Sequence, residues 1–507
     1  MRLSNAHIGV AATLLATLAA ALSFADGAAG ATALELLQAA PKPVFKAGHG
    51  LPRLTRWGWA MAPAARIELA ERWGYALEMG EANAGLAARL ADPASEESKL
   101  AALAAGDPKR YPLAVLVYRA CLNREFLASL PPETWSPPLE GAPAGAKADR
   151  VLSPEAPDAV FEKAAAAAVE PLKRLLAKAP GAIILNGGEY GLGVLGFCRK
   201  TWEKDPKALA AKGGRDWFDY LSERKARQER IVTEAVRQAC PDRSLYIFYY
   251  VDGNTYKGEN GGWKDWAFDY PPLKDASDLP SASIYYRQFN SGWTGKRDLL
   301  SLTLSAVAQH LAEGRPLSYN WVCGGWTQKN QRDEEAFSEP ERYLGFLKCY
   351  YTAGMIGGVA GYFAYPKGGF TGDVGAEPPS WLRQMMTLAE AHALFSHVEE
   401  FLREGDLLAG PDKHRWLKDL PAYEFPTGDA GVRVLARKHR KRPEWLVTAW
   451  AADGADRAVS VAIPELGAVR VEASPCGSVY RVALEGGKPV AAPVGAKGLA
   501  PTQGMRP

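Results

Sequence analysis

The chain has 507 residues, 47% hydrophobic and 23% charged, which is enough apolar material for one large domain and a smaller one. Its 60 Lys and Arg stand against 57 Asp and Glu, so the net charge of +3 gives neither a basic stripe for nucleic acid nor an acidic tail. Seven His and six scattered Cys without paired spacing argue against a zinc site or a disulfide-stapled scaffold, and no cofactor motif is present.

Residues 1–25 read as a secretory signal peptide. Arg2 precedes an apolar run from Ile8 to Leu22, and Ser23-Phe24-Ala25 supplies the small residues before a cleavage point. The run is shorter than the roughly 20 residues a membrane-spanning helix requires. The expected product is a secreted or periplasmic protein with no stable membrane insertion. Its oligomeric state is not legible. Export permits disulfides, and Cys121 with Cys198 is the one pair the expected fold would bring near each other.

After a lead-in over residues 26–54, strand-like and helix-like segments alternate through residue 405. The strand candidates are Arg56–Ala60, Tyr75–Met79, Leu113–Tyr118, Ala182–Asn186, Leu245–Val251, Ala282–Arg287, Leu317–Val322 and Val359–Ala364. Helical periodicity marks Pro157–Ala179, Trp217–Ala239, Arg297–Glu313, Pro340–Thr352 and Pro379–Glu404. Such alternation requires parallel strands, because each helix is the crossover to the next one. Eight units over this length predict a (β/α)₈ TIM barrel. A doubly wound open sheet is the alternative, but Gly187-Gly188 lacks the spacing of a dinucleotide fingerprint. Residues 406–491 switch to short alternating strands at Glu424–Pro426, Val432–Lys438, Trp445–Ala451, Ala458–Ile463, Val469–Ala473 and Ser478–Ala483. They predict a small antiparallel β-sandwich. Residues 492–507 read as a disordered tail.

In a barrel of this kind the loops after the strands build the active site. The expected strand ends carry Trp57 and Trp59, Glu78 and Glu81, Asn186-Gly187-Gly188-Glu189-Tyr190, and Tyr250 with Asp252. They continue with Tyr286, Arg287, Asn290 and Trp293, then Asn320, Trp321 and Trp326, and finally Tyr365. Flat aromatic faces stack on the C–H faces of pyranose rings, while amides, carboxylates and Arg pair with hydroxyls. Cleaving a glycosidic bond takes two carboxyl groups, ~5–5.5 Å apart when one is a nucleophile and ~6.5–9.5 Å apart when it activates water. Glu189 is the candidate acid, beside glycines that let backbone approach a ligand, and Asp252 on the neighbouring strand is its candidate partner. Glu78 and Glu81 compete from strand two. Trp57, Trp59, Trp293, Trp321 and Trp326 are candidate stacking platforms. Arg287, Asn290 and Asn320 would hold hydroxyls or an anionic substituent.

A barrel with a C-terminal β-sandwich and Asn186…Glu189 at the fourth strand end resembles the retaining (β/α)₈ glycoside hydrolases. That resemblance implies an acid/base Glu at the end of strand four and a nucleophilic Glu at the end of strand seven. This chain departs from the pattern twice: two residues separate Asn186 from Glu189, and strand seven ends in Trp321-Val322-Cys323 with no carboxylate. Carboxylates ending strands four and five are also similar in placement to the alpha-amylase arrangement, which would exchange the roles of Glu189 and Asp252. The expected activity is hydrolysis of an oligo- or polysaccharide. The alternatives are a carbohydrate-binding barrel without catalysis, or a lyase-type barrel enzyme using Tyr and Arg on uronic acids.

Overall fold

The computed structural model describes residues 32–56, 61–117, 129–136, 152–186, 202–248, 269–285, 299–323, 340–360, 380–414 and 419–495. In chain order the elements are α1 (Ala33–Ala39), β1 (Thr55–Arg56), α2 (Pro63–Arg72), β2 (Leu77–Glu81), α3 (Ala84–Ala91), α4 (Glu96–Gly106), β3 (Leu113–Leu116), α5 (Asp158–Leu176), β4 (Ala182–Asn186), α6 (Pro206–Lys212) and α7 (Trp217–Ala239). They continue with β5 (Leu245–Phe248), α8 (Tyr270–Leu273), β6 (Ser283–Tyr285), α9 (Leu299–Ala312), β7 (Ser318–Cys323), α10 (Pro340–Thr352), β8 (Met355–Ala360), α11 (Ser380–Ser396) and α12 (Glu399–Glu404).

Every ladder among β1 to β8 is parallel, as strand–helix alternation requires. They form two four-stranded sheets, ordered β6-β7-β8-β1 and β2-β3-β4-β5. A parallel bridge between Leu54 and Tyr75 joins the two just before β1 and β2. Beside β5 runs the segment leading into β6: the Asp278 N–H donates to the Tyr246 carbonyl at 2.9 Å, and the Asp278 carboxylate accepts the Tyr246 N–H at 2.7 Å. Arg237 and Arg243 both pair with that carboxylate, fixing it in place.

The signal-peptide segment, Cys121 and Cys198 lie outside the described residues. Cys240 and Cys349 are buried free thiols and Cys476 is a partly buried one. Among the described residues no helix is long and apolar enough to cross a membrane.

Two of the expected boundaries shift. Strand eight starts at Met355, four residues before the expected Val359, and the expected stretch to Ala364 runs beyond the described residues. The expected helix Pro379–Glu404 is two helices, α11 and α12. Helices α2, α3 and α4 fill intervals where the periodicity named none.

After α12 come β9 (Gly405–Leu407), β10 (Val432–His439), β11 (Glu444–Ala451), β12 (Arg457–Ile463), β13 (Gly467–Ala473), β14 (Ser478–Glu485) and β15 (Lys488–Pro493). They make a five-stranded antiparallel sheet, β15-β14-β11-β10-β9, faced by the hairpin β12-β13. Alternate residues of the hairpin, Val459, Val461, Ile463, Val469 and Val471, are buried against Val434, Trp445, Val447 and Val482. The other face of the large sheet, through Leu435, Leu446, Trp450 and Val479, belongs to the main core. Burial on both faces explains why β11 reads as a nearly unbroken apolar run. The expected strand at Glu424–Pro426 does not form; Phe425 makes a single backbone bond to Val434 there. Strand β15 extends to Pro493, two residues into the range expected as tail, and residues 496–507 lie outside the described ones.

Arg437 of β10 fastens this sheet to the helices. Its buried guanidinium donates to the carbonyls of Phe401 (2.9 Å), Thr352 (3.1 Å), Leu402 (3.3 Å) and Gly405 (2.7 Å). Burial lowers its pKa to about 10, so it stays charged at neutral pH. Arg437→Met strands four carbonyls around an apolar tip and should cost about 2–3 kcal/mol. Denaturant midpoints of the two proteins check this, and equal midpoints refute it.

Two buried imidazoles make stability depend on pH. Burial brings His310 and His392 down to a pKa of about 3. His392 Nδ1 meets the Tyr351 hydroxyl at 2.9 Å, and the His310 ring lies 4.7 Å from that of Tyr270. An unfolded His titrates near about 6.5, so on acidification the unfolded chain binds these protons first. The contribution is complete above about pH 6.5 and is lost as pH falls toward 3, by about 1.4 kcal/mol per unit for each ring. Urea midpoints should decline from pH 7 to pH 5, less steeply in His392→Asn. Parallel declines would remove His392 from the account.

Candidate functional site

Of the expected site residues, Trp57, Trp59, Glu189, Tyr190, Tyr250, Asp252, Tyr286, Arg287, Asn290, Trp293, Trp326 and Tyr365 lie outside the described residues. Glu78, Glu81, Asn320 and Trp321 lie within them, Glu78 near the start and Glu81 at the end of β2, Asn320 and Trp321 in the middle of β7.

On β2, register decides which way the carboxylates face. Glu78 pairs with Ala114 and Glu81 with Leu116, so three steps along β2 match two along β3. This is a bulge, and Gly80 within it has φ +80°, a backbone region that side chains with a Cβ disfavour. In a regular strand, residues three apart point to opposite faces. The bulge returns Glu81 to the face of Glu78, so both acids lie on one side of the sheet.

That side is opposite the helix layer. Ala114 pairs with Ile183, whereas Val115 pairs with Ile184 and Ile184 with Tyr246, so the ladder separates two faces. Asn186 shares the face of Ile184 and Tyr246. Its amide donates to the Tyr246 hydroxyl at 3.0 Å and to Glu229 Oε2, on α7, at 3.3 Å. Glu229 is itself buried at 1% exposure. Asn186 therefore belongs to the packing between β4, β5 and α7, with both amide hydrogens engaged. Of the strand-four motif, Asn186 thus turns toward a helix, and Glu189 lies outside the described residues.

Glu78, by contrast, meets the Arg56 guanidinium at the end of β1. Both are nearly buried, at 6% and 3% exposure. Burial lowers the Arg56 pKa, and the Glu78 carboxylate pulls the other way. A charged pair with so little access to water is costly to desolvate, and it survives only where partners match it closely. Arg56 was not among the expected site residues, and its position in the sequence as the residue before Trp57 gave no sign of its burial. Glu229 did leave a sign: it falls three residues after Ala226 and three before Val232, both buried on α7. Asn83, just past β2, caps α3 by accepting the Leu86 N–H at 3.0 Å.

On β7 the two expected contacts are placed differently from a ligand surface. Asn320, expected to hold a hydroxyl, is fully buried. Its Oδ1 accepts the Ala282 N–H at 2.9 Å and its Nδ2 donates to Ser318 Oγ at 2.6 Å, so it fixes the approach of β6 to β7. Trp321, expected to stack on a sugar, is 3% exposed and packs in the main core. Among the described residues no group of His, Cys, Asp and Glu is placed to hold a metal.

No family profile matches the sequence, and no curated protein matches it. Its neighbours among solved structures are glycoside hydrolases, all distant in sequence. An alpha-galactosidase of Geobacillus stearothermophilus has a TM-score of 0.42 at 12% identity, covering 91% of this chain and 58% of its own. An agarase has a TM-score of 0.37 at 12% identity, covering 66% of this chain and 49% of its own. A noncanonic maltogenic alpha-amylase of Thermotoga neapolitana has a TM-score of 0.35 at 11% identity, covering 77% of this chain and 80% of its own. The chain thus spans about half the length of the agarase, 49%, and somewhat more of the galactosidase, 58%.

Proposed function

We propose that this protein is an exported glycoside hydrolase that cleaves an oligo- or polysaccharide at the C-terminal mouth of a closed (β/α)₈ barrel. Glu189 acts as acid and Asp252 as its partner, with Trp57, Trp59, Trp293 and Trp326 as stacking platforms. The order β6-β7-β8-β1-β2-β3-β4-β5, joined through Leu54 and Tyr75, supports this reading because it is the order a closed barrel requires, as do the Asp278–Tyr246 bonds between β5 and the segment leading into β6.

The observation that carries the reading is the bulge-aligned pair Glu78 and Glu81, with Arg56, on the face away from the helices. Acids at that position meet a ligand in the mouth, and the buried Arg56 partner makes Glu78 an orienting group instead of a proton donor. Incubating the full chain with a panel of plant, algal and microbial polysaccharides should release reducing ends from at least one of them. Binding on a glycan array without release would transfer the reading to a non-catalytic barrel. Product absorbance in the ultraviolet would transfer it to a lyase.

A further inference from the structure

A cavity of about 530 Å³ lies between the first turns of α9 and the segment that leads into β10. Its size is within the range of small-molecule pockets. Helix α9 follows β6, so its first turn stands on the side where the parallel strands end. The cavity therefore opens on the same side as the proposed mouth.

Its wall is a built polar network. Arg433 grips Glu424 with two N–H groups, Nε to Oε1 and Nη2 to Oε2, each at 2.5 Å, and Nη2 also donates to Ser301 Oγ at 3.1 Å. Ser305 Oγ lies 3.0 Å from His414 Nε2, tying α9 to the same segment a second time. Each Glu424 oxygen takes one N–H from Arg433 and keeps lone pairs for further donors. Burial pushes the Glu424 carboxyl up to about 7 and holds the His414 imidazole below its usual range.

Charge around the cavity is largely paired, with the lining acids outnumbering the lining bases by one. Glu424 faces Arg433, Asp429 pairs with Arg457 at 2.8 Å, and Asp412 adjoins Lys413 on the rim. The excess of acids disfavours a free phosphate, and among the described residues no group of His, Cys, Asp and Glu is placed to hold a metal ion. A neutral ligand bearing several hydroxyls would find donors, acceptors and an apolar floor made by Leu304, Tyr423 and Val432. The geometry points to an outlying subsite for a neutral saccharide unit, separate from the barrel mouth and on its side of the molecule. This inference rests on the carbohydrate reading above, and its test is independent of catalysis.

The test follows the methyl resonances of Leu304 and Val432 in the full-length protein. It is titrated with gluco-, xylo-, manno- and galacto-hexaoses. At least one should shift both methyls saturably. Ala430 lines the cavity and is exposed, so Ala430→Trp fills the space from the rim without disturbing the core. It should weaken that binding about tenfold or more at an unchanged melting midpoint, and Ala430→Ser should restore it. Methyls unmoved by every hexaose, or moved equally in Ala430→Trp, would overturn the subsite. A protein that hydrolyses a polysaccharide without these shifts keeps the barrel reading and loses this one. A protein that shows the shifts and hydrolyses nothing does the reverse.

Discussion

Glu189→Gln should lower kcat on the responsive polysaccharide by about 10²–10⁴-fold while sugar binding is largely retained. Glutamine keeps the shape and hydrogen-bonding reach of the side chain and cannot deliver a proton to the departing oxygen. Binding, which uses hydroxyl contacts and ring stacking, is unaffected by that loss. Asp252→Asn should fall by a similar factor, and the two variants can be told apart chemically. An aryl glycoside whose phenol leaves without protonation should regain turnover in whichever variant has lost the acid, and stay slow in the one lacking the nucleophile or base. The comparison therefore decides between the two orders of roles proposed for Glu189 and Asp252. Wild-type turnover in Glu189→Gln would end the assignment.

Local signals fixed some elements and missed others for physical reasons. Strand β4 and helices α7 and α10 have the bounds expected from their patterns, since each is closed by clear punctuation such as the Asp216 side chain capping α7. Strand β8 was read late because Gly357 and Gly358 depress strand character. Tertiary contact demands them: a Cβ on Gly357 would lie 2.6 Å from the Tyr319 ring, and one on Gly358 2.8 Å from the Asn320 carbonyl. Strand β15 was not named as a strand and its last two residues were read as tail because Pro and Ala resemble a linker, yet it pairs along β14 from Lys488 to Pro493.

Face assignment is where sequence reading failed most. At a strand end the alternation that tells inside from outside has few residues to express itself. Asn320 read as a ligand contact and Asn186 as part of the strand-four motif, but their partners are the β6 approach and α7. Conversely, the shared face of Glu78 and Glu81 depends on a bulge that no local pattern announced beyond Gly80 itself.

The Arg56–Glu78 pair offers the largest stability effect. Arg56→Met leaves a carboxylate buried without its cation, and Glu78→Leu leaves a guanidinium in the same position. Each single change should cost about 3–5 kcal/mol, measured as a drop in the denaturant midpoint at constant slope. The double variant Arg56→Met/Glu78→Leu removes both charges and fills the space with apolar atoms, so it should recover most of that loss. Their coupling would then be read directly from the cycle. A loss below about 1 kcal/mol in either single variant would mean the pair behaves as if exposed to water and would refute the burial argument. Turnover should follow a different course from stability. If Glu78 orients a ligand in the mouth, the double variant regains its fold and keeps a raised KM, because an apolar filler replaces the pair in the core but gives no acceptor to a sugar hydroxyl. Recovery of both properties together would make the pair a packing element with no part in holding a ligand.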